Sequence, residues 1–152
     1  IHSFFKREIT NEKSPVEIAE LMKGQFKQEL AFIESRPFYF EWEDYVFVHA
    51  GVNLTLDDWK NTTDREFYWI RDEFHYGKNE TNKTFIFGHT PTSILHKNQG
   101  KFDIWYSPCN TKICIDGAAA YGGFLHGIKV NKDGITSTHS IPSQTRSTKY
   151  DI

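Results

Sequence analysis

Apolar residues recur at intervals of three and four through "SPVEIAELMKGQFKQELAFIESRP", which predicts a long amphipathic helix between Ser14 and Pro37. Ile18, Met22, Phe26, Leu30 and Ile33 form its stripe. Ser14 suits the N-cap, Pro15 the first helical position, and Glu17 completes a capping box. Pro37 ends the helix, and Gly24 is the point at which it would divide. The period then changes. "FYFEW" alternates while "YVFV" is apolar throughout, so two strands meet at a turn near Glu43-Asp44, and the second is expected to be central and covered on both faces. "TDREFYWIRDEF" returns to a helical period, with Thr63 and Glu66 as a second capping box and Phe67, Ile70 and Phe74 on one face. A strand "TFIF" follows. After a loop rich in Asn, Lys and Gly come three strand patterns, at about Lys112 to Asp116, Phe124 to Val130 and Ile135 to Ile141, the last two joined by an Asp133-Gly134 hairpin signal. The order is that of a mixed α/β fold with an antiparallel finish.

Composition narrows the classes. The 152 residues are 38% hydrophobic and 25% charged, which fits one folded domain. A net charge of −2 and the lack of a Lys/Arg block give no electrostatic basis for binding nucleic acid or an anionic membrane. Cys109 and Cys114 are too few for a disulfide framework or a four-thiolate zinc site, and read as free thiols in a reducing cytoplasm. No apolar run is long enough to span a bilayer. The chain opens on "IHSFFKREI" with neither an initiator Met nor a signal sequence, which reads as a piece of a longer cytoplasmic polypeptide.

Two strand ends carry the candidate chemistry. "YVFVHAGV" runs into His49, two residues before Gly51, and "TFIFGHTPT" into His89, directly after Gly88. In open α/β sheets the ligand crevice lies at the carboxyl ends of the strands, so both imidazoles could face one crevice. Either histidine alone is better explained by a structural hydrogen bond than by a ligand role. The repetition favours a shared site, and a transition metal suits paired neutral imidazoles. Two histidines do not complete a zinc site, which takes three protein ligands when catalytic and four when structural. His75, His96 and His126 lack this setting and are expected in core or solvent-facing roles. Arg71, in "YWIRDEF", offers a guanidinium fork for phosphate, with an ion pair to Asp72 or Glu73 as the equally weighted alternative.

The motifs "FVHAGV", "WIRDEF", "FGHTPT" and "ICIDGAAAYGGFLHGIKV" occur in an order that resembles the calcineurin-like metallophosphoesterases. Among these the chain is most similar to bacterial serine/threonine protein phosphatases of the phosphoprotein phosphatase family and to symmetrical diadenosine tetraphosphate hydrolases. The likeness runs from about Phe38 to Val130. It implies that His49 and His89 bind the second metal of a dinuclear manganese, iron or zinc centre, that Arg71 acts on and binds substrate phosphate, and that Tyr121 lies at the substrate. The implied reaction is two-metal hydrolysis of a phosphate monoester carried on a phosphoprotein or a nucleotide.

The family's opening motifs, GD-x-HG, GD-x-x-DRG and GNH[DE], occur nowhere in the chain. The resemblance therefore implies the C-terminal part of a single metallophosphoesterase domain, its N-terminal portion missing, with ligands for only one of the two metals. Residues 1–36 would be a variable helical connection, and residues 38–141 the sheet-containing part of a β-sandwich core flanked by helices. By itself such a chain should be inactive, and a binding or scaffold module that has lost the first-metal half of the site is the contrasting expectation.

Overall fold

The structure is a computed structural model in which residues 13–144 are described. The first of two compact units ends at Pro37. Its helix α1 (Pro15–Gln25) begins with the expected capping box, in which Glu17 N–H donates to Ser14 Oγ and the Glu17 carboxylate accepts from Ser14 N–H at 2.8 Å. A single helix to Pro37 does not form. The backbone leaves the helical region at Phe26 (φ −119°, ψ 36°), two residues after Gly24, and a second helix α2 (Lys27–Glu34) follows. The stripe is unevenly covered: Ile18 is buried, Met22, Phe26 and Leu30 are half-buried, and Ile33 is exposed.

The second unit is mixed α/β. Strands β1 (Tyr39–Trp42), β2 (Tyr45–Val48), β3 (Thr84–Phe87), β4 (Trp105–Tyr106) and β5 (Lys112–Cys114) form one sheet in the order β1-β2-β3-β5-β4. β2, β3 and β5 run parallel, while β1 and β4 flank them antiparallel. Strands β6 (Phe124–Asn131) and β7 (Gly134–Pro142) make a separate antiparallel ribbon; the hairpin forms where expected, but its turn is Lys132-Asp133, one residue before the Asp133-Gly134 signal, and Gly134 already pairs with Asn131. Between β2 and β3 lie α3 (Asp64–Trp69) and α4 (Asp72–His75), and α5 (Thr92–Leu95) follows β3. No helix among the described residues is long and apolar enough to cross a membrane.

Register and the two-residue alternation of strands put Val46 and Val48, Phe85 and Phe87, and Lys112 and Cys114 on one face of the sheet. Phe67, Ile70 and Phe74 pack with that face in the core, and the Phe74 ring meets Phe85 and Phe87 edge-on at 5.6 and 5.0 Å. Edge-to-face contacts of this kind add about 0.5–1.5 kcal/mol each beyond burial. The expectation that β2 is central and covered on both faces is corrected: Val46 and Val48 are buried, but Tyr45 and Phe47 are only half-buried. β3 holds the centre of the sheet. β2 lies beside the edge strand β1, and Phe40, Trp42, Tyr45 and Phe47 share the face away from that core, where Phe40 is 62% exposed and the other three are half-buried.

His75 and His126 take the core roles expected of them. His126 is buried, with Nδ1 2.8 Å from Ser140 Oγ and Nε2 2.6 Å from Phe102 O. His75 stacks on Phe87 at 5.5 Å, 2% exposed, and neither ring nitrogen has a hydrogen-bond partner. Burial lowers its pKa from 6.5 to about 4, against the opposing charge of Asp72. Below pH 6.5 the unfolded chain takes up a proton that the folded chain refuses, so stability falls until about pH 4. The loss attributable to this one group should reach about 3 kcal/mol. Urea unfolding of wild type and His75→Phe between pH 7 and pH 4.5 should show the steeper decline in the wild type; parallel curves would contradict the assignment.

Candidate functional site

Three parallel strands end side by side. His49 follows β2, Gly88-His89 follows β3, and Asp116 lies just beyond β5. The corners are held in register by the backbone: Gly88 N–H donates to His49 O at 2.9 Å, Ile115 N–H to Phe87 O at 2.9 Å, and Thr92 N–H to Asp116 O at 2.8 Å. The crevice at the carboxyl ends of a parallel sheet thus receives all three residues.

The glycines play different parts. Gly51 has φ +152°, and a Cβ there would lie 2.3 Å from Phe74 Cδ1, so only glycine lets the chain leaving β2 pass this close to the core. At Gly88 an added Cβ would meet nothing nearer than 3.6 Å. The tight turn at this corner is made by the histidine, not the glycine. His89 itself has φ 66°, at the centre of a three-residue turn closed by Thr90 N–H to Gly88 O at 2.7 Å. A non-glycine residue held in the left-handed region costs about 1–3 kcal/mol and persists where its surroundings over-determine it.

His49 Nε2 and His89 Nδ1 lie 3.1 Å apart. In the bare site one nitrogen donates and the other accepts, so protonation of both rings would break the contact. The separation also suits a single ion, because each nitrogen can lie about 2.0–2.1 Å from it. No cluster of three His, Cys, Asp or Glu residues suited to a metal occurs among the described residues. The site therefore fits part of a ligand shell. His89 Nε2 is buried without a hydrogen-bond partner, and the Asp116 carboxylate accepts from Ala118 N–H at 3.0 Å.

Arg71 reaches the same place through an interruption absent from the sequence reading. The helix expected to continue through Phe74 stops where Ile70 turns extended (φ −59°, ψ 144°), and α4 starts after Arg71 (φ −132°, ψ −106°). Phe67, Ile70 and Phe74 still share the core, but Arg71 Nη1 now donates to Thr90 Oγ1 at 3.1 Å. Its guanidinium carbon lies 5.5 Å from the Trp69 ring centre, and that ring lies 5.0 Å from His89. No ion pair joins Arg71 to Asp72 or Glu73 among the described residues. A groove of about 590 Å³ opens beside it, lined in part by Asn53, Arg65, Trp69 and Asp72.

Of the sequence candidates, His49, His89 and Arg71 are brought together. Tyr121 is 62% exposed on a short turn between the left-handed residues Ala118 and Gly122, and makes no hydrogen bond or ring contact with the other three among the described residues. Asp116, Thr90 and Trp69 were not singled out. The signal for Asp116 was "KICIDG", a third apolar strand ending in a chemistry-bearing residue and a glycine. No family model matches the chain, and neither the curated proteins nor the solved structures hold a match to it.

His89 holds its proton more weakly than an ordinary histidine, first because it is partly desolvated, then because the Arg71 and His49 charges oppose imidazolium, with Asp116 pulling the other way. An NMR titration should therefore show His89 titrating below 6.5, and Arg71→Ala should move it upward by removing a nearby cation. A downward or absent shift in the variant would separate Arg71 from the histidine pair.

Proposed function

We propose that this chain is the C-terminal part of a metallophosphoesterase of the phosphoprotein phosphatase type, and that the intact enzyme hydrolyses serine/threonine phosphate monoesters. One observation carries the reading: two imidazole nitrogens 3.1 Å apart at neighbouring strand ends, with a guanidinium tethered to the residue that follows one of them. His49 and His89 would hold one divalent or transition metal ion, whose chemistry there is to polarise a phosphoryl oxygen. Arg71 binds and orients the phosphate. Its Thr90 contact occupies Nη1, leaving the other edge of the fork for phosphate oxygens, while the Trp69 ring restrains the guanidinium. Asp116 stands across Gly88 and balances the positive charge around His89.

The proposal extends to the fold. The exposed aromatic side of β1 and β2, with Phe40, Trp42, Tyr45 and Phe47, is where the remainder of a β-sandwich would pack. The motifs for the first metal would come with that portion, so the present chain should not turn over substrate by itself. A diadenosine tetraphosphate hydrolase is the second reading, favoured by the 61% exposed Trp69 ring on the groove, which offers a stacking surface for a base.

Assayed with manganese and p-nitrophenyl phosphate, the 152-residue chain should be silent, and activity should appear once a segment carrying the three absent motifs is joined to it. In that enzyme Arg71→Ala should lower kcat/KM by about 100-fold, as expected for the loss of a charge-assisted phosphate contact. Robust turnover by the chain alone would refute the split-site account. Continued silence after joining would favour a non-catalytic module, and preference for a dinucleotide over a phosphoserine peptide would favour the second reading.

A further inference from the structure

Lys112 is 1% exposed in the middle of the fold, where a lysine ammonium has no carboxylate partner among the described residues. Its Nζ donates instead to three backbone carbonyls, Phe74 O at 2.6 Å, His75 O at 3.3 Å and Gly77 O. An ammonium has three donors, and all three are used. The acceptors lie at and just beyond the C-terminal end of α4, where a helix leaves carbonyls unpaired and its dipole favours a cation. At the other end of that single turn, Arg71 O accepts from Phe74 N–H at 2.9 Å and from His75 N–H at 2.8 Å.

We propose that Lys112 is a positioning residue for the phosphate-binding arginine, fixing Arg71 by gathering the carbonyls at the far end of the one-turn helix that Arg71 begins. A helix of four residues has no stability of its own, so its place is set by what holds its ends. Lys112 is rooted on β5, paired with Phe85 of β3, in the strands that lead to Asp116 and His89. The arginine and the histidine pair are thereby referred to the same sheet. Arg71 also keeps a backbone conformation outside the main allowed regions, which needs such external restraint. The two side chains need not touch for this coupling.

The proposal rests on the reading of Arg71 as a phosphate ligand, and the test separates the two. Inorganic phosphate is titrated calorimetrically into the zinc-loaded 152-residue chain, well below its melting temperature, for wild type, Lys112→Met, Arg71→Ala and the double variant. Lys112→Met should weaken phosphate binding about tenfold, the scale of one charge-assisted hydrogen bond. The double variant should bind no more weakly than Arg71→Ala, and zinc affinity should be unchanged. A merely structural lysine would lower the melting temperature and leave phosphate affinity at the wild-type level, which would overturn the proposal. Should the wild type itself fail to bind phosphate, the functional reading fails, and a crystal structure of Lys112→Met decides the positioning claim: the Arg71–Thr90 hydrogen bond should be lost, and its retention would overturn the claim. If Lys112→Met does not fold, Lys112→Gln, which keeps polar donors without the charge, replaces it in both measurements.

Discussion

The hydrogen bond from Gly88 N–H to His49 O, 2.9 Å long, is the constraint on which the site depends. It continues the parallel pairing of β2 and β3 by one step beyond the strands, so two residues 40 positions apart in sequence leave the sheet in step. The imidazoles then meet because their backbones have already met. Parallel pairing requires the crossover through α3 and α4, and the crossover brings Arg71 to the same edge. The core serves this geometry by packing Phe67, Ile70 and Phe74 against the sheet on either side of the helix break.

Several local rules are broken around this edge, and the breaks cluster. His89 occupies a left-handed backbone, Arg71 a sparsely populated one, His89 Nε2 is buried without a partner, and Lys112 puts a cation in the core. Each costs free energy; those at His89 and Arg71 lie at the sheet end or the start of the short helix that frames it, and Lys112, at the start of β5, meets that helix through its carbonyls. Strained and unsatisfied groups often gather at functional sites, and under the proposed reading a metal and a phosphate would supply partners for His89 and Arg71.

Much of the fold was legible because the signals were local. Both capping boxes, at Ser14 and Thr63, rest on residues three positions apart, and the β6–β7 hairpin was marked to within one residue by the adjacent pair Asp133-Gly134. The convergence of His49 and His89 was legible for a different reason: both sit at the end of a β-rich run, and strand ends in a parallel sheet share a side. What escaped is long-range. Phe67, Ile70 and Phe74 suit a continuous helix as well as a broken one, so their spacing could not reveal the turn at Ile70–Arg71. Lys112 in "TKICID" looks like the solvent-facing start of a strand, and only the arrival of α4 above it makes it an interior cap. β2 read as doubly covered because its composition is apolar, whereas burial is set by the layers packed on each face, and among the described residues Tyr45 and Phe47 are only half-buried. Two-residue β4 is too short to carry any period.

The central claim is that His49 and His89 act as one ligand pair. Zinc K-edge absorption spectroscopy of the chain with one equivalent of zinc tests it directly, since imidazole scattering counts the rings bound to the ion. The wild type should show two imidazoles on each zinc, and His49→Ala and His89→Ala should each show one, with weaker binding. Unchanged zinc uptake and coordination in both variants would mean that the histidines are only a hydrogen-bonded structural pair, and the metallophosphoesterase reading would lose its foundation.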